Sequence, residues 1–245
     1  MGNLGNLVFS YCFDGAGKAL PVMEHYGFDL CSVRDIAELK ITQTMEDRRG
    51  RSGIFDNGPI LTRDAVLCFP GDPPKAKFIK FSPLLLPSST YFPDKRIVIS
   101  PARIADEKDV IGSTFDEIYD SILKELEKTN FFPSEEQIAC SLERSVEFPI
   151  KEKDSWGEFV ELKDFKKNEL ISFILGGEID MYKKSLEMSN IKGVRIYPEV
   201  SESINKFDRP FVKQIIYGRD ETAEVSIHSL ILFATRPFCI YGLIK

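Results

Sequence analysis

The stretch FVKQIIYGRDETAEVSIHSLILF, residues 211–233, carries the clearest fold signal in the sequence. Its two apolar segments, residues 211–217 and 223–233, are rich in Ile, Val, Phe and Tyr, which favour strands. The polar residues after Gly218 separate them as a tight turn does. The pattern predicts a β-hairpin. A further apolar segment, residues 238–244, predicts another strand after it.

Upstream of this hairpin, the helix signals are concentrated in the middle of the chain. Two capping-box pairs, Thr114 with Glu117 and Ser134 with Gln137, each predict a helix. The first helix is expected to begin directly after Thr114, and the second directly after Ser134. A third helix is predicted over residues 178–188, after a pair of glycines.

The amino-terminal part mixes helix and strand signals. Helical spacing predicts a short amphipathic helix over residues 3–12, and Ser32 with Asp35 predicts the start of another helix. The apolar face of the first helix consists of Leu4, Leu7, Val8 and Tyr11. Strands are predicted in the segments 28–33, 61–69, 77–81, 96–99, 146–150 and 158–162.

This order of elements predicts the fold class. Strands near both ends with helices between them indicate an α+β fold, an antiparallel twisted sheet with a central group of helices. Because no linker or repeat is visible, residues 1–245 are predicted to form a single domain. A doubly wound fold is not favoured, since strands and helices do not alternate regularly.

Composition narrows the classes of partner and compartment. The formal net charge is −6 and the pI is about 5.2, which disfavours nucleic acid as the main ligand. The five cysteines are odd in number and widely spaced, which favours reduced thiols in a core. Together with the lack of a secretory leader pattern, this predicts a soluble, cytoplasmic protein.

Residues for common enzyme chemistry are scarce, so no catalytic residue, metal site or cofactor is predicted. The two histidines, His25 and His228, are too few for most zinc sites. The glycines at Gly15 and Gly17 precede Lys18, but this loop is shorter than a phosphate-binding P-loop. A cysteine and a histidine that meet only in space remain an open alternative.

Two weaker signals involve charged side chains. Glu161 and Lys163 at the end of a predicted strand, with Asp154 upstream, are a combination that can hold a divalent ion in a nuclease. A solvated strand edge is the favoured interpretation of Glu161 and Lys163. The cluster of Arg48, Arg49 and Arg51 could bind phosphate, although a solvated loop is favoured there as well.

The first forty residues resemble the opening of the gasdermin amino-terminal domain. A short helix leads to Phe13-Asp14-Gly15-Ala16-Gly17-Lys18, then to Leu20-Pro21-Val22, and then to a strand that ends at Arg34. The resemblance implies a soluble α+β protein that binds anionic membrane lipids, self-associates and forms a pore in cell death. It also implies relocation from the cytoplasm to the membrane on activation.

The resemblance assigns roles to particular residues. It implies lipid contacts by Arg48, Arg49, Arg51, Lys18 and Arg34, and a membrane-facing helix with Leu4, Leu7, Val8 and Tyr11. The sequence departs from the family in its acidic net charge and in a first helix without Lys or Arg.

Two other classes of function stay open. The first is a non-enzymatic interaction or immunity-type protein whose acidic surface covers a basic protein partner and inhibits it. The second is the metal-dependent nuclease that uses Asp154, Glu161 and Lys163.

Overall fold

The computed structural model describes residues 7–13, 28–46, 60–82, 132–152, 157–219, 225–230 and 238–244. The strands in this part of the chain are β1 (Leu7–Phe13), β2 (Phe28–Leu30), β3 (Ile60–Phe69), β4 (Lys75–Ile79), β5 (Ser145–Glu147), β6 (Ile150–Lys151), β7 (Glu158–Glu161), β8 (Gly193–Ile196), β9 (Glu199–Val200), β10 (Phe211–Arg219), β11 (Val225–Leu230) and β12 (Phe238–Ile244). The α-helices are α1 (Val33–Glu46), α2 (Glu135–Leu142), α3 (Glu169–Leu175), α4 (Ile179–Met188) and α5 (Ser201–Ile204). Two short 3-10 helices cover Leu162–Asp164 and Gly176–Glu178.

Most of the strands form one mixed sheet that is rich in antiparallel pairs. Its strand order is β1-β12-β3-β10-β11-β8-β7, with β2 beside β12 and with β4 and β5 beside β3. The pairs β12–β3 and β11–β8 are parallel. Because β12 pairs with the start of β3 and β4 pairs with its end, the sheet forks at β3 and curls. A second, two-stranded sheet joins β6 and β9.

The main hydrophobic core lies between the sheet and three helices. Helix α1 contacts both α3 and α4. Their buried side chains form one cluster with the sheet, whose members extend from Cys31 to Ile227. A smaller cluster on the other face of the sheet joins β3, β4 and β10 around Leu67, and Ile138 of α2 packs against it.

The helix predicted over residues 3–12 is wrong. Leu7, Val8 and Tyr11 lie on strand β1, which pairs in antiparallel fashion with β12 from Phe13↔Phe238 to Leu7↔Leu243. The apolar spacing that resembled a helix belongs to a segment of large apolar residues that gains its hydrogen bonds from a distant strand. Tertiary pairing therefore overrides the local period. Leu4 lies outside the described residues.

Several local predictions are confirmed with small changes of boundary. The hairpin is the antiparallel pair β10–β11, and β3 and β12 match their predicted segments. The Ser134/Gln137 pair forms a complete capping box at the start of α2. The strand predicted over 28–33 ends at Leu30, because Ser32 and Asp35 cap the start of α1.

Two predicted elements cannot be compared with the structure, and an observed helix was not predicted. The helix predicted after Thr114 and the strand over 96–99 lie outside the described residues. Helix α3, capped by the side chain of Asn168, was not predicted. Among the described residues, no helix has the length and apolar character to span a membrane.

Candidate functional site

Strand β7 forms one edge of the sheet, because it pairs with β8 alone in the described part of the chain. It is only four residues long, Glu-Phe-Val-Glu, with a carboxylate at each end. Short edge strands with charged side chains are typical of sheets that avoid uncontrolled pairing with other chains. The edge is therefore open but protected.

The phase of the β7–β8 ladder decides which backbone groups face outward. The Leu162 N–H donates to the Lys192 carbonyl at 3.1 Å, directly after the registered pairs Val160↔Val194 and Glu161↔Gly193. Hydrogen-bonded and non-bonded pairs alternate in an antiparallel ladder. The N–H and C=O groups of Val160 therefore point at β8, and those of Phe159 and Glu161 point away from it.

The Phe159 ring on this edge is held in place by β8. A Cβ on Gly193 would lie 2.7 Å from the ring and 2.3 Å from the Val160 carbonyl, so only glycine allows this close packing. The Arg195 guanidinium stands over the ring, 5.5 Å from its centroid. The half-buried ring is thus a fixed apolar surface at the edge.

Two grooves border the edge strand and share its side chains. Groove A has a volume of about 580 Å³, and groove B has a volume of about 370 Å³. Groove A is lined by the apolar residues Phe159, Leu162 and Ile191 and the charged residues Glu161, Glu187 and Lys192. Groove B shares Phe159 and Glu161 with groove A and is also lined by Glu158, Val160, Asp164, Lys167 and Asn168.

The charges around the edge are mostly acidic, and several are already paired. Lys163 contacts Glu161 at 2.6 Å, and Lys167 contacts Asp164 at 3.0 Å. Both pairs are exposed, so each holds its partners only weakly. Groove B nevertheless has three carboxylates against one ammonium group among its lining residues.

A second polar site lies deep in the sheet, at a bulge of β3. Residues 62–64 oppose the single residue Ile215 of β10, and the Thr62 hydroxyl donates to the Ile215 carbonyl at 2.9 Å. The bulge turns the Asp64 carboxylate towards the helices. It accepts the Val33 N–H at 2.7 Å and the Phe81 N–H at 2.9 Å. Bulges commonly redirect a side chain in this way.

Asp64 thus connects the start of α1 to the end of β4. Phe81 has a φ of 52°, a left-handed conformation that is strained for a large side chain, and its bond to Asp64 stabilises it. Burial raises the pKa of Asp64 from 3.8 to about 7, against the opposing effect of the two N–H bonds.

Lys80, next to this turn, closes the same region. Its Nζ donates to the carbonyls of Phe173 and Ile174, at 3.2 and 2.9 Å, near the carboxyl end of α3. A cation is favoured at the carboxyl end of a helix. Burial lowers the pKa of Lys80. The side chains of Asp64 and Lys80 form their hydrogen bonds with backbone groups of the protein itself. The Asp64 site therefore stabilises the fold.

The Glu199–Lys213 ion pair is a third polar cluster, between β9 and β10. The two groups are 2.6 Å apart, and their side chains are 3% and 15% exposed. Cys68 is close enough for both charges to act on it, and burial raises the pKa of its thiol well above the usual value. A thiol with a raised pKa is a poor nucleophile, so this cluster also serves the fold.

Two residues of the predicted nuclease site, Glu161 and Lys163, lie at a solvated strand edge. Glu161 ends β7 and Lys163 follows it, with side chains 53% and 70% exposed. Asp154 lies outside the described residues. Within the described ranges, no group of three or more His, Cys, Asp or Glu side chains is arranged to hold a metal ion.

Of the residues assigned to lipid contact, Arg34 alone lies in the described part of the chain. Arg34 lies in the first turn of α1, where its Nε is 2.8 Å from Glu38, rather than at the end of a strand. Lys18, Arg48, Arg49 and Arg51 lie outside the described residues.

Three cysteines can be compared with the prediction of core thiols. Cys31 and Cys68 are buried and free, which confirms it. Cys140 is free but exposed on α2, so the prediction is wrong there.

Comparison with known proteins gives a fold and no family. No family model and no curated protein matches the sequence. A solved Nanoarchaeota structure, described as accommodating massive sequence variation by the C-type lectin fold, aligns with a TM-score of 0.50 at 10% sequence identity. The alignment covers 97% of this chain and 98% of that one. At this identity the similarity concerns the fold alone.

This similarity overturns the gasdermin interpretation. The chain is similar to a C-type lectin fold over nearly its whole length, and the gasdermin likeness rested on a first helix that is strand β1. The pore-forming and membrane-facing roles that followed from it are withdrawn with it.

Proposed function

We propose that this chain is a non-enzymatic protein-binding module that uses the open β7 edge and its two grooves to hold a partner with basic side chains. One observation carries the proposal. The outward N–H and C=O groups of Phe159 and Glu161 have no strand beside them in the described chain, and grooves lie along that same edge. Such groups form hydrogen bonds readily with an incoming chain.

The charge of the molecule supports a basic partner. The net charge of −6 favours approach of a positively charged surface, and the carboxylates of groove B lie where that partner would bind. Electrostatic complementarity of this kind raises association rates and selects partners. Nucleic acid is disfavoured as a partner for the same reason.

The fold is compatible with a binding role. The similar Nanoarchaeota structure is described as accommodating massive sequence variation, which requires a core that tolerates a changing surface. In this chain the polar anchors at Asp64 and Lys213 lie in the interior, away from the exposed residues of β7. We also propose that the chain is one cytoplasmic domain. The core cluster from Cys31 to Ile227, which helices α1, α3 and α4 share with the sheet, supports a single domain.

A charge-reversal pair of variants tests the binding role. The edge variant changes Glu158, Glu161 and Glu187 to lysine. The control variant makes the same change at Glu135, Glu136 and Glu143, exposed residues of α2 and the turn after it. Helix α2 contacts β4, which is separated from β7 by β8, β11, β10 and β3. Both variants alter net charge equally, so only position distinguishes them.

Affinity purification from the source organism, with quantitative mass spectrometry, compares the three proteins. We expect some proteins to co-purify with the wild type and with the α2 control but not with the edge variant. Retention of the same proteins at the same level by all three would contradict the use of this edge. Near-UV circular dichroism checks that each variant keeps its packing.

A further inference from the structure

We infer that the partner of the β7 edge contributes an extended segment that adds to the sheet as a new strand, with basic and apolar side chains in alternation. This inference rests on the proposed binding role and specifies its geometry. It is carried by the ladder phase, by the two grooves and by the charges of the edge.

The backbone of β7 provides the hydrogen bonds for strand addition. Phe159 and Glu161 direct their N–H and C=O groups away from β8, which is the pattern that an added strand requires. The neighbouring Gly157 keeps this end close to β8, because a Cβ there would lie 2.6 Å from the Ile196 carbonyl. The edge is therefore a fixed template rather than a loop that must first become ordered.

The grooves determine which side chains the added strand carries. Side chains of a strand point alternately to the two faces of a sheet. On the face of β7 that carries Phe159, the incoming side chain meets the Phe159 ring, which favours an apolar group. On the other face, it meets Glu158 and Asp164 of groove B, which favours lysine or arginine.

A second copy of this chain is a poor occupant of the same edge. If two β7 strands paired in antiparallel fashion through their outward groups, the Glu161 carboxylates of the two copies would lie directly opposite each other with Glu161 facing Glu161, or diagonally adjacent with Glu161 facing Phe159. Like charges directly opposite each other destabilise a strand pair. A basic segment of another protein relieves this repulsion, so charge complementarity selects it.

A synthetic octapeptide tests strand addition directly. The probe is acetylated and amidated, has the sequence Thr-Val-Lys-Val-Lys-Val-Lys-Thr, and carries a fluorophore for anisotropy measurements. We expect saturable binding to the full chain with a Kd in the micromolar range. Binding should weaken with added salt and with Glu158→Lys, but not with Glu136→Lys on α2. Absence of binding at millimolar protein concentration would overturn the inference.

Backbone methylation distinguishes strand addition from contacts between side chains alone. One version of the probe is N-methylated at its valines and the other at its lysines, because alternate amides of a strand face the same neighbour. We expect one version to bind at least tenfold more weakly and the other to bind almost unchanged. Equal affinities for the two versions, whether high or low, would overturn strand addition.

A proline in the edge provides the matching test on the protein. Glu161→Pro removes one outward N–H but no bond to β8, and proline is tolerated on an edge strand. Glu161→Gln is its control, since it removes the same charge and keeps the N–H. We expect about tenfold weaker binding of Glu161→Pro relative to Glu161→Gln. Equal binding of the two variants would contradict a hydrogen bond at this position.

Failure of this inference is separable from failure of the proposed function. If the probe binds, and is sensitive to Glu158→Lys but not to methylation or proline, the edge binds proteins through side chains only. If native partners bind the charge-reversal variant at Glu158, Glu161 and Glu187 as strongly as they bind the wild type, the proposed binding role itself is wrong.

Discussion

The bulge of β3 and the edge of β7 both interrupt the regular pairing of one sheet, with opposite results. At the bulge, Asp64 is 1% exposed and its carboxylate accepts two backbone N–H groups from inside the molecule. At the edge, the backbone groups of Phe159 and Glu161 face outward along two grooves. A polar group with internal partners stabilises the fold, whereas a polar group without them in the described chain is available for binding.

The largest effect is expected at the bulge. Asp64→Ala leaves the buried N–H groups of Val33 and Phe81 without their acceptor. Each orphaned group costs about 1–3 kcal/mol, so the free energy of unfolding should fall by roughly 2–6 kcal/mol. Urea denaturation measures this change. Asp64→Asn, which keeps one acceptor oxygen, should lose less. An unchanged midpoint for Asp64→Ala would show that Asp64 does not hold α1 and β4 together.

A pH dependence should accompany this carboxyl group. Burial raises the pKa of Asp64 from 3.8 to about 7, so in this interval the folded chain holds a proton that the unfolded chain releases. The stability from this group is complete below pH 4 or so and is lost as pH rises through about 7.

Urea titrations at several pH values compare the wild type with Asp64→Asn, which has no titrating group at this position. We expect the unfolding free energy of the wild type to fall relative to the variant between about pH 4 and pH 7, and to level off above that. Parallel curves for the two proteins would show that Asp64 titrates as it does in the unfolded chain.

A smaller effect is expected where β8 supports the edge. Gly193→Ala places a Cβ 2.3 Å from the Val160 carbonyl and 2.7 Å from the Phe159 ring. The strain should lower the unfolding free energy by about 1–3 kcal/mol and weaken binding of the octapeptide. Gly177→Ala is the control, because no atom lies within 4 Å of its Cβ position. Thermal melts and anisotropy measure both effects, and equal behaviour of the two variants would contradict the packing of Phe159 on Gly193.

The smallest effect on stability is expected on the edge itself. Glu161→Pro removes no bond to β8 and loses only an exposed ion pair with Lys163. Its unfolding free energy should stay within about 1 kcal/mol of the wild type. A loss as large as that of Asp64→Ala would mean that the Glu161 N–H already has a partner within the fold.

Local sequence patterns predicted much of the sheet but not its order. The β10–β11 hairpin, β3 and α2 depend on neighbouring residues, namely alternating apolar segments and a Ser134/Gln137 cap. The place of β12 between β1 and β3 depends on residues more than 170 positions apart, as in the pair Cys239↔Ile60. The same long-range pairing made a strand of the segment that locally resembled a helix.

The two sites differ in how far the sequence could reveal them. Thr62-Arg63-Asp64 is a visible polar interruption of an apolar strand, which was a signal for the bulge. Glu161 and Lys163 correctly indicated a solvated strand edge, since their side chains are exposed. Which side of β7 stays open could not be predicted, because it depends on β8 pairing with β7 and with β11.

Amide hydrogen exchange measured by NMR tests the open edge most directly. We expect the N–H groups of Phe159 and Glu161 to exchange at least tenfold faster than those of Val160 and Leu162, which face β8. We also expect the two fast amides to become protected when the octapeptide binds. Protection of Phe159 and Glu161 equal to that of Val160 in the free chain would contradict the open edge.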